Sequence, residues 1–446
     1  MAELESLLAK ISDFVWGIPL LVLLFGTHLY LTLRLRFIQR FMPTAIRLSF
    51  SRRREGTGDI SHFGALTTAL AATIGTGNIV GVATAVAAGG PGAVLWIWLT
   101  GVFGIATKYA EAVLSVKYRI TTPLGLVAGG PMYVLERGMR ARWLGIIFAA
   151  LTAVAAFGIG CMVQANSISA LVEETFHISP WATGAVLTAL TAIVILGGIK
   201  SIASVCERLV PFMAVFYVLG CAVLLIANAR EVPHALSLIL SGAFTGQAAI
   251  GGFLGAGVRE AIRYGIARGL FSNESGLGSA PIVAAAAQTK NPVRQALVSS
   301  TGTFWDTVVV CAMTGIVLVN SGQWTRGLGG AALTKAAFDD LPVVGPIVLS
   351  VGLLTFVFST ILGWSYYGEK AAEYLFGPRV IGPYRWLWVA AVMVGSVATL
   401  KAVWSFADIA NGLMAVPNLI SLIALSGVAV AETRRYLWSG NLDGEG

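Results

Sequence analysis

Charged residues are scarce in this 446-residue sequence: they make up 12% of it, whereas 56% of the residues are hydrophobic. The mean hydropathy is +0.79. Soluble domains carry about 25% charged residues, and a soluble chain of this size could not bury so much apolar surface. The composition therefore excludes a soluble protein and predicts a chain whose main solvent is a lipid bilayer.

Clusters of metal-binding or catalytic side chains are also missing. The four cysteines stand singly, without CxxC spacing, and the four histidines are scattered. Neither disulfides nor a metal centre built from these side chains is expected. The net charge of +8 could suggest a nucleic-acid partner. However, the basic residues lie between apolar segments and form no single stripe, so no nucleic-acid binding is predicted.

Eleven apolar segments can be read as membrane spans, each needing about 20 helical residues. We predict spans at 13–33, 62–88, 93–118, 143–170, 181–198, 208–227, 249–289, 297–319, 344–374, 384–402 and 407–432. The first is a retained helix and not a signal peptide, since acidic residues precede it and arginines follow it. The seventh is too long for one straight span. We expect the stretch 236–268 to include a surface helix carrying Arg259, Arg263 and Arg268.

Lysines and arginines are concentrated in alternate loops. Seven arginines lie between positions 34 and 54, and most of the remaining basic residues fall on the same side of the predicted membrane. Cytoplasmic loops carry this excess of Lys and Arg. We therefore predict a multi-pass protein of the plasma (inner) membrane with its N-terminus outside and its C-terminus in the cytoplasm.

Two segments carry polar residues and glycines in the middle of apolar sequence. One reads A-A-T-I-G-T-G-N-I-V-G (71–81) and the other G-L-F-S-N-E-S-G-L-G-S-A-P (269–281). Unwound backbone is tolerated in a membrane only where it lines a cavity or is covered by protein. The two segments lie five spans apart, an odd number, so the second set of five spans is inverted relative to the first. Interrupted helices at matching places in inverted halves indicate a carrier's binding site.

This pattern predicts an all-α polytopic membrane protein of two inverted five-helix repeats with one extra N-terminal helix, in which two helices are broken. The predicted divisions are 1–60 for the extra helix and a basic loop, 61–230 and 231–433 for the repeats, and 434–446 for a cytoplasmic tail.

Broken helices expose unpaired amides at one half-helix, which attract a carboxylate, and unpaired carbonyls at the other, which attract a cation. A zwitterionic amino acid with a co-bound Na⁺ suits both ends. The candidate substrate-binding residues in the breaks are Thr76, Gly77, Asn78, Ser272, Asn273 and Gly276.

Other spans should complete the pocket. Ser359 and Thr360 are adjacent hydroxyls in an apolar run, suited to Na⁺ but equally able to bond back to their own helix. Trp364 follows on roughly the same face and could wall a small pocket or simply pack. Gln164 could bind substrate or a neighbouring helix. For Glu274, an ion pair with Arg268 is favoured over a proton or ion site. Nothing in the sequence separates gating from structural roles for Glu111, Asp306 and Asp408.

The stretch G-G-P-G-A-V-L-W-I-W-L-T-G-V-F-G (89–104) closely resembles the signature of the alanine or glycine:cation (sodium:alanine) symporter family. Leu95 and Ile97 stand where that pattern has Phe and Met. The strings I-G-T-G-N-I-V-G (74–81), G-G-P-M-Y (129–133), 269–281 and G-W-S-Y-Y-G-E (363–369) also look like that family's. The resemblance covers residues from about 60 to 430.

The resemblance implies a LeuT-type fold and Na⁺- or H⁺-driven uptake of alanine or glycine. It further implies that the carbonyls of Ala71 and Ile74 share a Na⁺ with Ser359 and Thr360. By the same likeness, Asn78 sits at the substrate carboxylate or a second ion. Gln164, Asn273 and Trp364 would line the substrate pocket.

The sequence thus predicts Na⁺-coupled symport of a small neutral amino acid by alternating access, functional as a monomer, with no organic cofactor. The alternatives are an H⁺-coupled or uncoupled carrier and, less favoured, a channel, for which no repeated carbonyl filter is evident. A membrane-embedded enzyme is not expected, because the breaks contain one carboxylate and no histidine.

Overall fold

The computed structural model describes residues 2–51, 56–244, 257–398 and 401–444. Its helices, labelled in chain order, are α1 (Ala2–Val15), α2 (Ile18–Arg34), α3 (Met42–Ser49), α4 (His62–Thr73), α5 (Val82–Gly89), α6 (Ala93–Lys117), α7 (Pro131–Tyr133), α8 (Arg142–Ala155), α9 (Val163–Phe176), α10 (Pro180–Ile195), α11 (Gly198–Ala227), α12 (Val232–Gly242), α13 (Val258–Asn273), α14 (Pro281–Ala284), α15 (Pro292–Thr303), α16 (Ala312–Asn320), α17 (Gly330–Asp339), α18 (Val344–Phe376), α19 (Ile381–Val397), α20 (Lys401–Ala424) and α21 (Ser426–Thr433).

Shorter elements link or interrupt these helices. Turns of π-helix lie at Gly77–Gly81, Val134–Gly138, Ala156–Met162, Phe304–Cys311 and Arg434–Trp438, and 3₁₀ turns at Ile38–Phe41, Gln323–Arg326 and Pro378–Val380. Two short strands, β1 (Ile120–Thr121) and β2 (Val127–Ala128), pair antiparallel with Thr121 opposite Val127. Among the described residues, this small hairpin is accompanied by two isolated β-bridges, Thr57 with Thr289 and Ile60 with Ala287, and the sequence analysis did not anticipate any of them.

A helix lies at each of the eleven predicted places, and the prediction of an all-α polytopic membrane protein is confirmed. Eight of the described helices are long and apolar enough to cross a bilayer, and the bent pair of His62–Thr73 and Gly77–Gly89 makes nine. Helix α10 is apolar but shorter. The seventh predicted span is divided between α13 and α14, with residues 249–256 outside the described part of the chain.

Two boundaries differ from the prediction. The sixth span begins at Gly198 and not at 208, because α11 continues through Lys200 and Glu207 before it becomes wholly apolar. Arg259, Arg263 and Arg268 belong to α13, the first half of the broken seventh span. This helix packs against α5 and α6, with Arg259 exposed and Arg263 and Arg268 half-buried, so the three arginines belong to the broken span and not to a separate surface helix.

The outer face of the bundle is apolar. Helices α10 and α11 expose large side chains, among them Val186, Ile193, Phe212, Leu219 and Ile226. An apolar face of this extent would be unfavourable in water, but lipid tails are as apolar as these side chains. The exposed face is therefore the surface that contacts the bilayer.

Two helices are buried on all sides over long stretches. Residues 104–116 of α6 and 359–373 of α18 are buried without interruption. Helix α18 packs against α4, and α6 packs against α13. Each of the two interrupted segments therefore has a fully buried helix beside it, and these four elements form the centre of the molecule.

Candidate functional site

The first interruption lies between α4 and the π-helical turn at Gly77. Helix α4 ends at Thr73, the backbone of Ile74 is extended (φ −77°, ψ 97°), and the two halves meet at an angle of 54°. A side chain on Gly75 would place its Cβ 2.6 Å from the Thr360 hydroxyl. A glycine is required here so that the unwound backbone can approach α18.

Four oxygen atoms meet at this approach. The Ser359 hydroxyl donates to the carbonyl of Ala71 at 3.1 Å, and the Thr360 hydroxyl lies 3.4 Å from the carbonyl of Ile74. All four residues are buried. Both hydroxyls also donate to the Phe356 carbonyl of their own helix. The pair therefore contacts the first break and also bonds back to its own helix, as the two alternatives from the sequence had it. The cluster contains carbonyl and hydroxyl oxygens only, which is the donor set of a hard cation.

A small cavity of about 20 Å³ lies beside this cluster. Of the sequence-predicted residues, Thr76, Gly77, Gln164, Trp364 and Thr360 line it. The remaining lining residues, which the sequence analysis did not assign to the pocket, are Ala72, Thr73, Gly75, Ile159, Phe271, Glu274 and Asn411. The first amides of a helix have no partner within it. The helix that begins at Gly77 therefore directs its positive end toward the cavity.

Asn78 lies behind the cavity and not in its wall. Its side-chain oxygen accepts from the amide of Gly75 at 2.8 Å, and its Nδ2 donates to Asp306 Oδ1 at 2.6 Å. Ser272, from the other interrupted segment, donates to Asp306 Oδ2 at 3.0 Å. Asp306, to which the sequence analysis gave no role, thus connects the two breaks. A carboxylate inside an apolar span is rare and usually functional, and this was the feature of the sequence that pointed to it.

The second interruption is built around another carboxylate, Glu111 of α6. Its Oε1 accepts from the amides of Gly276 and Gly278, both at 3.1 Å, and from Asn418 Nδ2 at 2.7 Å. Gly276 and Gly278 have φ of 89° and 88°, a conformation that suits glycine. Asn273 does not line the cavity, and its side-chain oxygen accepts from the amide of Ser275 at 2.9 Å.

Glu274 lines the cavity and is held by two neutral donors. Trp364 Nε1 donates to its Oε1 at 3.0 Å, and Ser279 donates to its Oε2. The guanidinium of Arg268 lies 5.8 Å from the centre of the Phe271 ring. Within the described residues no ion pair joins Glu274 to Arg268, so the favoured role for Glu274 was wrong. Arg268 and Glu274 are close in the sequence, which suggested that both lie at the end of one helix. Glu274 instead has left-handed backbone geometry (φ 54°) and lies just past the end of that helix.

One end of the bundle is closed by contacts between the segments next to the two breaks. The chain before α4 pairs with the chain after α14, where the backbone N–H of Gln288 donates to the carbonyl of Ile60 at 2.8 Å. Arg119 donates to the carbonyls of Thr57, Ala285 and Ala287 at 2.8–2.9 Å. These contacts join the segments next to the two breaks at this end of the molecule.

Two interrupted helices that pack beside a buried polar cavity in an apolar bundle define a multi-pass membrane transport protein. The chain belongs to the sodium:alanine symporter family, which matches residues 1–443. It is therefore a transporter and not an enzyme.

Two relatives illustrate the extent of the similarity. The chain is 53% identical over 445 residues to "Sodium/alanine symporter AgcS" of Methanococcus maripaludis, covering 97% of each protein. It is 37% identical over 445 residues to "Probable sodium/glutamine symporter GlnT" of Bacillus subtilis, covering 97% of this chain and 91% of the relative.

Two solved structures are similar in fold. MhsT in complex with L-phenylalanine gives a TM-score of 0.51 at 15% identity, covering 85% of this chain and 98% of that one. A Na⁺-coupled sialic acid symporter in a substrate-bound outward-open state gives 0.54 at 11% identity, covering 91% and 86%. The predicted LeuT-type fold is confirmed.

Proposed function

We propose that the protein couples the entry of Na⁺ to the uptake of a small neutral amino acid, alanine or glycine, by alternating access. The observation that carries the proposal is the meeting of Ser359 and Thr360 with the carbonyls of Ala71 and Ile74, directly beside the cavity. A cation at this point would lie against the unwound backbone that also lines the proposed substrate site.

The Na⁺ proposal follows from the donor set. A cation bound among Ala71, Ile74, Ser359 and Thr360 would replace the weak 3.4 Å contact of Thr360 with ion–oxygen contacts on both sides. It would thereby hold α18 against the first break. The membrane potential contributes about 2.3 kcal/mol per charge per 100 mV to this inward step.

For the substrate, we assign the carboxylate to the positive helix end at Thr76 and Gly77, and the side chain to the wall formed by Trp364. A cavity of about 20 Å³ has room for about one water molecule, so it must widen to admit any amino acid, and a small side chain such as that of alanine or glycine requires the least widening. The names of the relatives, one a sodium/alanine symporter and one a probable sodium/glutamine symporter, are consistent with an amino-acid substrate.

The remaining predicted residues have supporting roles in this proposal. Asn78 and Ser272 converge on Asp306 and would hold the two breaks together or bind a second cation there. Asn273 and Gly276 would fix the shape of the second break. We further propose a plasma-membrane monomer with its N-terminus outside, which places the closed end with Arg119 on the cytoplasmic side.

The test is uptake of labelled alanine into proteoliposomes with an imposed inward Na⁺ gradient. We expect concentrative uptake that disappears when choline replaces Na⁺ and that increases with an inside-negative potential. Uptake unchanged in choline would overturn the Na⁺ proposal. A parallel experiment with a proton gradient and no Na⁺ tests the H⁺-coupled alternative. That alternative is suggested by the name of one relative, "Putative sodium/proton-dependent alanine carrier protein YrbD".

A further inference from the structure

Two buried amide oxygens at the cavity have no hydrogen-bond partner in the described part of the chain. They are Gln164 Oε1 and Asn411 Oδ1, and both residues line the cavity. Gln164 is 3% exposed and Asn411 is 2% exposed. A buried acceptor without a donor costs free energy, so two at one small cavity point to a ligand that brings hydrogen-bond donors.

The orientation of Gln164 is fixed by its own helix. Its Nε2 donates to the carbonyl of Ile159 at 2.9 Å, across the π-helical turn Ala156–Met162. With the nitrogen engaged, the group left for a ligand is the oxygen, which can only accept. The π-helical turn makes this bond possible, because its wider spacing brings the carbonyl of Ile159, five residues before Gln164, within reach of Nε2.

A third acceptor at the same cavity is the carboxylate of Glu274. Trp364 Nε1 and Ser279 each donate to one of its oxygens, which orients the group without saturating it, because a carboxylate offers about four acceptor positions. The cavity thus contains three acceptor groups, one of them formally negative, from three different parts of the fold: α9, the second break and α20.

We propose that Gln164, Asn411 and Glu274 form a binding site for a primary ammonium group, the ammonium site, with Asn411 as a residue that determines substrate specificity. This inference rests on the proposed function, and it adds which end of the zwitterion points where. The ammonium group carries three N–H donors, which matches three acceptors, and its charge matches Glu274. The carboxylate then points toward Thr76 and Gly77, which line the same cavity.

The ammonium site predicts discrimination by N–H count. Each methyl group on the nitrogen removes one donor and leaves one acceptor unpaired. Hydrogen bonds to charged groups are among the stronger ones, so the loss of one should weaken binding roughly 10–100-fold. Primary α-amino acids are therefore accepted, and N-methylated and N,N-dimethylated analogues are rejected stepwise.

The test measures how unlabelled L-alanine, N-methyl-L-alanine and N,N-dimethyl-L-alanine inhibit Na⁺-driven uptake of labelled alanine in proteoliposomes. The variants are Asn411→Leu, which removes the acceptor, and Asn411→Asp, which keeps an acceptor. Asn411→Ser is included in case the leucine variant does not fold. The matched control is Asn320→Leu, because Asn320 Oδ1 is also without a partner but lines a separate pocket beside Trp324.

For wild-type protein and Asn320→Leu we expect each N-methylation to raise the inhibition constant at least about 10-fold. In Asn411→Leu, alanine should bind roughly 10–100-fold more weakly, and the step between alanine and its N-methyl analogue should shrink toward one. Asn411→Asp should restore part of that step. If Asn411→Leu weakens all three compounds by the same factor, the residue is structural and the inference is wrong. It is also wrong if all three compounds inhibit Asn411→Leu as strongly as the wild-type protein, which would mean that Asn411 binds water only.

The two proposals fail in distinguishable ways. Absence of any Na⁺-driven alanine uptake by the wild-type protein would overturn the proposed function. Normal wild-type uptake with no discrimination among the three compounds would overturn the ammonium site alone.

Discussion

The two interrupted helices look alike in sequence but satisfy their backbone in different ways. At the first break, the carbonyls of Ala71 and Ile74 face the hydroxyls of α18 next to the cavity. At the second break, the amides of Gly276 and Gly278 are occupied by the carboxylate of Glu111. The second break therefore carries its own internal anion, whereas the first offers oxygens that an external cation could bind. The same glycine-rich pattern can thus support either a stable bend or an exchangeable site.

The largest effect is expected from Glu111→Ala, which would leave the amides of Gly276 and Gly278 and one N–H of the Asn418 side chain without their acceptor inside the membrane, although Asn418 would still donate to the Gly276 carbonyl. Each buried unsatisfied donor costs about 1–3 kcal/mol, so the free energy of unfolding should fall by at least about 3 kcal/mol. Thermal unfolding in detergent measures this loss, and transport should be lost with it.

The control for Glu111→Ala is Glu174→Ala, which removes an exposed ion pair with Lys335. Exposed pairs contribute little, so its thermal stability should match the wild type. Glu111→Gln keeps an acceptor oxygen and should fall in between. Wild-type stability in Glu111→Ala would contradict the view that the second break depends on its internal anion.

Ser359→Ala should abolish concentrative alanine uptake while expression and thermal stability stay close to wild type. Transport should be lost because the Ser359 hydroxyl would be one of only a few oxygens around the cation. Stability should be kept because the backbone hydrogen bonds of α18 do not involve this hydroxyl. The measurement is uptake against Na⁺ concentration, where residual activity should require roughly 10-fold more Na⁺ or greater. Thr355→Ala is the control, since that hydroxyl bonds only within α18 among the described residues. Equal Na⁺ dependence in both variants would remove Ser359 from the site.

Asn78→Ala should also abolish concentrative uptake with intact expression, because it frees the Gly75 amide and removes a donor from Asp306. Unlike Ser359→Ala, it should lower thermal stability as well, by about 1–3 kcal/mol. Ser272→Ala, which removes one donor to Asp306 and leaves Gly75 held, is the milder comparison. Wild-type transport in Asn78→Ala would show that the first break holds its shape without this side chain.

The smallest effect is expected from Trp364→Phe, which keeps an aromatic wall and removes the N–H bond to Glu274. We expect alanine affinity to fall about 3–10-fold, with an unchanged dependence on Na⁺. Competition with labelled alanine at saturating Na⁺ measures it, and Trp388→Phe, buried outside the cavity lining, is the control. A shift in Na⁺ dependence instead would mean that Trp364 acts on the cation and not on the cavity.

Much of the site followed from local sequence. Gly75, Thr76 and Gly77 were recognisable because glycines and a hydroxyl interrupt an apolar run, and Ser359 and Thr360 because two adjacent hydroxyls stand in one. Glu111 and Asp306 were visible as carboxylates near or inside spans, but their roles were not, and Asn411 was not singled out at all. A single polar residue in a span signals that it needs a partner, and it carries no information on which partner the fold supplies.

The sequence by itself determined the membrane spans, the all-helical class and the positions of both interruptions, because hydrophobic length and helix propensity act over neighbouring residues. Tertiary structure alone decided which buried group meets which break. Gly276 and Glu111 are 165 positions apart, and Asn78 and Asp306 are 228 apart. Only tertiary packing brings such groups together, and in a bilayer without competing water those contacts fix what each break can bind.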